Sequence, residues 1–335
     1  MPKKVSYETF KKDFLTIDAL NAADLTRFST TAVEMPLSGS FGRLDPLSEA
    51  YKQQVLAEHQ LITGSQSPYD PVTNEKAAAA HFLEDASAGN VHPWSYADPM
   101  LLSEFLHSWA QIFKMIDLKS TGSVLEYGPG SGQVLLMLAR CGLDCHAVDI
   151  EQRWLDQIAV QAQKLDLNIS LEQGVFGDGF ADRQFDRIIF FESFHHCVDF
   201  QELLRKLHAK LKSGGKIVFC GEPLFGMQTN MLPYPWGLRR DAASLWCMNR
   251  CGWMELGFTQ KFFIELLMRT GYSVRYFPFP ACPRAEGYVA EPAKHPVFTT
   301  EDPSPRTGVL RKYVREVVKD LRHYLLKNGN NKVGY

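Results

Sequence analysis

The sequence predicts an α/β fold built on a doubly wound parallel sheet, and three observations carry that expectation. Val124-Leu-Glu-Tyr-Gly-Pro-Gly-Ser-Gly132 is a short apolar run that ends in a carboxylate, Glu126, and then turns through three closely spaced glycines. A helix-like stretch, Gln133 to Cys141, leads into a second apolar run, 144–149, that closes on Asp149. Further on, apolar runs again alternate with amphipathic ones: Arg187–Phe191, Leu203–Leu211 and Lys216–Gly221. Strand and helix in alternation form a parallel sheet covered by helices, and such a sheet binds ligands at the carboxyl ends of its strands.

Taken in order, residues 1–98 read as a helical region with broken connections. Leu47–Leu61 has helical periodicity after a cap at Asp45 with Pro46 in the first turn, and Asn74 caps a second helix, Glu75–Glu84. The Gly, Ser, Pro and Asp residues of Thr63–Pro71 mark the intervening loop. Residues 99–280 form the nucleoside-binding domain. Its leading helix, Pro99 to Ile116, carries Leu101, Leu102, Phe105, Leu106, Trp109, Ile112 and Phe113 as a stripe that packs on the sheet. The expected strands are Ser123–Tyr127, Asp144–Asp149, Ile169–Gln173, Arg187–Phe191 and Lys216–Gly221. The helix Phe262–Arg269 and a sixth strand, Gly271–Phe277, complete it.

Between the fifth strand and that last helix runs an unusually long connection, residues 222–258. Connections of this length in compact domains are usually binding elements. It is expected to cap the substrate: Tyr234 and Trp236 offer flat faces, Arg239 and Arg240 could hold an anionic group, and Asp241 could take hydroxyls. Residues 281–335 are expected as a C-terminal extension. Its segment Thr307–Lys327 pairs an apolar stripe (Val309, Tyr313, Val317, Leu321, Leu325) with basic residues, as a helix docked on its own domain would.

Composition narrows the function. The chain has 335 residues, 45% hydrophobic and 22% charged, with a formal net charge of -2. That balance gives no basic surplus for nucleic acid. No apolar run reaches transmembrane length, and the start lacks the apolar core of a signal peptide, so a cytoplasmic location is expected. The seven cysteines are read as reduced thiols. Cys141/Cys145 and Cys247/Cys251 have spacings that zinc sites use, but no partner pair sits nearby, and no metal is expected.

The glycine turn decides between nucleosides. A dinucleotide fingerprint reads G-x-G-x-x-G, whereas this chain reads E-x-G-x-G-x-G. A carboxylate at Glu126 would repel a pyrophosphate and suits a cationic ligand tail. Asp149 is placed to accept from two ribose hydroxyls. With Phe185-Asp186 before the fourth strand, Glu192-Ser-Phe-His195-His196 after it, and Ser213-Gly-Gly-Lys-Ile-Val-Phe219, the sequence resembles the class I S-adenosylmethionine-dependent methyltransferases over roughly residues 100–280. The resemblance implies a Rossmann-like sheet and S-adenosylmethionine as cofactor, with S-adenosylhomocysteine as product. It places the cofactor on Glu126, Tyr127, Gly128, Pro129, Gly130, Asp149, Ile150, Val175, Phe176 and Glu192. The Gly-Asp that many members carry after the third strand is here Gly174-Val175-Phe176-Gly177-Asp178. Backbone near Val175 or the Asp178 carboxylate could read the adenine, and Phe176 could stack on it.

A methyl acceptor that is a hydroxyl needs a base near the end of the fourth strand. His196 and then His195 are the candidates, because an imidazole titrates near neutral pH. Glu222 directly follows the fifth strand and could orient the imidazole, as an acid does in sugar O-methyltransferases, which this segment resembles. Tyr69-Asp-Pro71, His92-Pro-Trp-Ser-Tyr96 and Pro233-Tyr-Pro-Trp-Gly-Leu238 are also similar to bacterial methyltransferases that accompany glycosyltransferases of surface-polysaccharide biosynthesis. That resemblance implies a saccharide acceptor and a glycosyltransferase partner. Two alternatives stay open: methylation of nitrogen or carbon in another small metabolite, and a cofactor-binding subunit without catalysis.

Overall fold

The computed structural model describes residues 3–17, 22–35, 44–76, 91–226, 231–233 and 235–301. The chain opens with β1 (Lys3–Ser6), α1 (Tyr7–Asp13), α2 (Ala22–Ser29) and β2 (Thr31–Glu34), and β1 and β2 pair in parallel. Helices α3 (Glu49–Thr63) and α4 (Pro71–Asn74) follow, then α5 (Pro99–Ile116). Helix α3 starts two residues later than its periodicity predicts, because Ser48 rather than Asp45 accepts the Tyr51 N–H as its cap. Asp98 caps α5 through the N–H groups of Met100 and Leu101, with Pro99 in the first turn. The expected helix 75–84 lies mostly outside the described residues, as does the basic stretch 307–327.

The sheet then builds: β3 (Ser123–Tyr127), α6 (Gln133–Arg140), β4 (Asp144–Asp149), α7 (Gln152–Lys164), β5 (Ile169–Gln173), β6 (Phe185–Phe191), α8 (Phe200–Lys210) and β7 (Leu211–Cys220). The long connection holds β8 (Leu224–Phe225), β9 (Trp236–Leu238), α9 (Ala242–Cys251) and β10 (Leu256–Thr259). The chain continues with α10 (Gln260–Arg269), β11 (Tyr272–Phe277), β12 (Gly287–Pro292) and β13 (Phe298–Thr300). The main sheet has eight strands in the order β13-β11-β12-β7-β6-β3-β4-β5. Strands β7, β6, β3, β4 and β5 are parallel, and β12 inserts antiparallel between β7 and β11. The order reverses between β3 and β6, so the crevice beyond their carboxyl ends is where a ligand belongs.

Two expectations are corrected here. The boundary expected at residue 280 cuts through this sheet, since β12 and β13 complete it from the supposed extension. The other concerns residues 222–258, whose described residues pack into the main core and not as a separate cap. Trp236, Leu238, Leu245, Trp246 and Met248 are buried in one core with Phe10, Phe28, Tyr51 and Val55 of the N-terminal region and Phe200 and Phe258 beside the sheet. Tyr51 Oη donates to the Trp236 carbonyl at 2.7 Å, and Trp236 Nε1 donates to the Pro46 carbonyl at 2.8 Å. The opposite sheet face packs a second core of Phe105, Trp109, Ile112 and Met115 from α5 with Val134, Leu135 and Leu138 from α6. Among the described residues no helix is long and apolar enough to cross a membrane.

Candidate active site

A cavity of about 560 Å³ opens at the carboxyl ends of β3, β4 and β6. Its floor is the glycine turn. Gly128, Gly130 and Gly132 all lie at positive φ, and a Cβ on Gly130 would project into open space. Gly132 cannot carry one, because Ile158 Cγ1 would lie 2.5 Å away. Glu126 reaches the cavity from β3 with one carboxylate oxygen buried and without a partner. Burial, then the neighbouring Asp149, pushes its carboxyl up to about 8. Asp149 closes β4, accepts the Glu151 N–H at 2.9 Å, and is itself pushed up to about 7 by burial. Two buried carboxylates with no cation paired to them among the described residues call for a ligand with a cationic group and hydroxyl donors. S-adenosylmethionine has both, in its α-amino group and its ribose, so these residues fit that cofactor.

The cavity brings together Glu126, Gly128, Pro129, Gly130, Asp149, Ile150, Val175, Phe176 and Glu192, as the sequence led us to expect. Tyr127 is a correction. Alternation along β3 turns its side chain away from the turn and into the core, where Oη donates to the Asp178 carbonyl at 2.9 Å. Phe176 stands edge-on to Tyr127 and Phe190. Trp154 on α7 and Gln133 on α6 also line the cavity and carried no sequence signal of their own.

The two histidines have different surroundings. They sit in a single 3₁₀ turn, Phe194–His196, after β6. Glu222 caps that turn: Oε1 accepts the N–H groups of Ser193 (3.1 Å) and Phe194 (3.0 Å), and Oε2 accepts that of His195 (3.1 Å). Its Oε2 also lies 2.9 Å from His195 Nδ1. The acid after β7 therefore orients His195, not His196. His195 is buried, does not line the cavity, and is held well below the usual histidine range by burial, with the His196 and Arg239 charges adding.

His196 does line the cavity. Its Nδ1 is buried and lies 3.2 Å from Glu75 Oε2, outside hydrogen-bond alignment. Burial would lower its pKa, but Glu75, with Glu255 adding, outweighs that and raises it to about 8. Glu75 was expected only as a helix residue. Its approach depends on how the N-terminal region folds back, which local periodicity cannot signal.

Of the residues expected to bind the acceptor, Tyr234 lies outside the described residues. The others are placed elsewhere by packing. Trp236 is in the core. Arg239 pairs with buried Glu255 beside a second, smaller cavity that Glu222 and Arg284 also line. The Arg240 N–H donates to the Met231 carbonyl. Asp241 caps α9 through the Ser244 N–H and hydroxyl. The same connection instead sends Trp246, Cys247 and Trp253 to the cavity wall, which Tyr96 and His92 also line. One donor atom each from His195, His196 and Glu255 lies within 4.8 Å of the others. Arg239 already neutralises that Glu255 carboxylate, so we assign no cation there.

Against known proteins, the family model for a methyltransferase domain matches residues 101–275. The chain belongs to that methyltransferase family. An uncharacterized methyltransferase of Bacillus cytotoxicus is 28% identical over 118 residues, which are 35% of this chain and 54% of that protein. A Bacillus cereus counterpart is 31% identical over the same length, with the same coverage of each chain. The chain thus spans about half the length of the curated relatives it matches. A Burkholderia thailandensis 1,6-didemethyltoxoflavin-N1-methyltransferase structure aligns at TM-score 0.46 and 17% identity, covering 69% of this chain and 93% of that one. A methyltransferase from Aquifex aeolicus aligns at 0.43 and 16%, covering 62% and 97%.

Proposed function

We propose that the protein is an S-adenosylmethionine-dependent O-methyltransferase acting on a saccharide or glycosylated small molecule, with His196 as general base. The observation that carries this reading is the place of His196 on the wall of the cavity that also holds Glu126, the glycine turn and Asp149. When bound, the cofactor supplies a sulfonium methyl and leaves as S-adenosylhomocysteine. The chain must do the rest. Glu126 and Asp149 hold the amino and ribose groups, and Gly130 lets backbone approach closely. His196 Nε2 takes the proton that a hydroxyl gives up as its oxygen bonds the methyl carbon. Nitrogen or carbon acceptors are not favoured by any residue here over a hydroxyl.

Trp253 and Tyr96 support a sugar acceptor, since rings of this kind cover the apolar faces of pyranoses. The polysaccharide setting and a glycosyltransferase partner belong to the same reading and rest on the sequence resemblance. The test is methyl transfer to a panel of nucleotide sugars, oligosaccharides and glycosides, with amine acceptors alongside. His196→Ala should lower kcat by about 10²–10⁴-fold and leave S-adenosylhomocysteine binding near normal. Turnover confined to amines, or full activity in His196→Ala, rejects the assignment.

A further inference from the structure

The family model begins at residue 101, yet one wall of the active site comes from the chain before it. Glu75 follows α4, and its carboxylate is fixed by two donors. Tyr69 Oη donates to Oε1 at 2.7 Å, and the Met254 N–H donates to the same oxygen at 2.8 Å. Its backbone is held too, since Trp253 Nε1 donates to the Glu75 carbonyl at 3.1 Å. That leaves Oε2 free to face His196 Nδ1 at 3.2 Å. The two side chains are only 11% and 18% exposed, so solvent screens their attraction little.

The other charged groups near His196 do not duplicate this contact. The His195 ring stands 4.4 Å away, contacts Glu222 through Nδ1, and burial lowers its pKa. Glu255 also favours a charge on His196, but it is paired with Arg239, whose guanidinium opposes that charge. Among the described residues Glu75 has no lysine or arginine as ion-pair partner, so its charge is available to the imidazole.

We propose that Glu75 is the positioning residue of the reaction, holding the proton of His196 on Nδ1 so that Nε2 faces the acceptor as the free base. This rests on the reading of His196 as base. The acceptor's O–H bond breaks with its proton passing to Nε2, while its oxygen takes up the methyl group. The imidazolium so formed then carries its second proton toward Glu75 Oε2, where the opposite charge stabilises it. The 3.2 Å contact, off the line of a hydrogen bond, tightens as that charge forms. The N-terminal region is then part of the catalytic unit and not an appendage to it.

Nitrogen-15 NMR of histidine-labelled full-length protein tests this without any acceptor. In the wild type, His196 should titrate above the ordinary histidine range, near pH 8, with Nδ1 as the protonated nitrogen of its neutral form. Glu75→Gln keeps the shape and the Met254 contact but removes the charge. Its His196 titration should move to lower pH by about 1–3 pH units. In turnover the same variant should lose about 10–10³-fold in kcat with S-adenosylhomocysteine affinity within about twofold, and its pH–rate inflection should move down with the titration. Glu75→Asp should recover part of both. A wild-type His196 that titrates at or below the ordinary value overturns the proposal even if Glu75→Gln does not fold, as does a titration unmoved in Glu75→Gln. If the titration moves but His196→Ala remains fully active, the reading of His196 as base fails instead.

Discussion

Glu126 and Asp149 show what a single buried carboxylate can report. Both folded-state pKa values are raised, to about 8 and about 7, by burial without a cation. A raised carboxyl binds its proton more tightly in the folded state than in the unfolded one. Each group therefore leaves stability intact at acid pH and removes it as pH rises through the folded value. A cationic amino group beside Glu126 and hydroxyl donors on Asp149 both favour the ionised forms. Binding of S-adenosylhomocysteine at neutral pH should then release roughly one proton. Calorimetry in two buffers of different ionisation enthalpy reads that number directly, and identical heats in both would mean the carboxylates were already ionised. Asp149→Ala should weaken binding by about 1–3 kcal/mol, a lost charged hydrogen-bond partner, and unchanged affinity would remove Asp149 from the site. These two residues were legible in the sequence because they belong to a local motif whose spacing fixes their geometry. Glu75 was not, because nothing near it in the chain marks its contact with His196. The Glu222 contact was half legible: an acid after the strand was expected to orient an imidazole, and it orients His195.

At the scale of elements, the connection 222–258 shows how composition can mislead. Tryptophans and arginines in a long loop read as a binding surface, yet Trp236 is 1% exposed and packs among Tyr51, Phe200 and Phe262. A large ring buried that far contributes through packing. Trp236→Ala should cost about 3–5 kcal/mol of stability, as large-to-small core changes do, and leave the acceptor KM of the folded fraction unchanged. Chemical denaturation beside steady-state kinetics separates the two effects. A raised KM with an unaltered denaturation midpoint would return Trp236 to the acceptor site. The strands Gly287–Pro292 and Phe298–Thr300 were not anticipated. The first starts at a glycine and ends at a proline, signals that read as loop, and its four buried residues are too few to show a period. It becomes a strand because β7 and β11 offer it hydrogen-bonding edges on both sides.

At the scale of the whole molecule, one core joins parts that the sequence separates. Phe10, Phe28, Tyr51, Val55 and Ile62 share it with Leu238, Leu245, Trp246 and Met248, and with Leu203, Phe219 and Phe263 packed on the sheet. Helix α3 contributes the Tyr51 bond to Trp236, and His59 lies 3.1 Å from the Gly252 carbonyl and 3.0 Å from that of Trp253. Removing residues 1–98 would strip one side of that core, exposing Trp236, Trp246 and their neighbours to water at about 25 cal/mol per Å² of apolar surface. It would also delete Glu75 from beside His196. The nucleoside site itself would lose His92, Pro93 and Tyr96 from its wall, while Glu126, the glycine turn and Asp149 would remain. A chain of residues 99–335 should therefore fail to give a cooperative thermal transition by circular dichroism, although it contains the whole span matched by the family model. The intact chain should melt in a single step that shifts upward with S-adenosylhomocysteine. If the shortened chain instead melts cooperatively at the same temperature and binds the cofactor product equally well, the N-terminal region is a separable module. In that case the shared core would add little to the stability of the sheet.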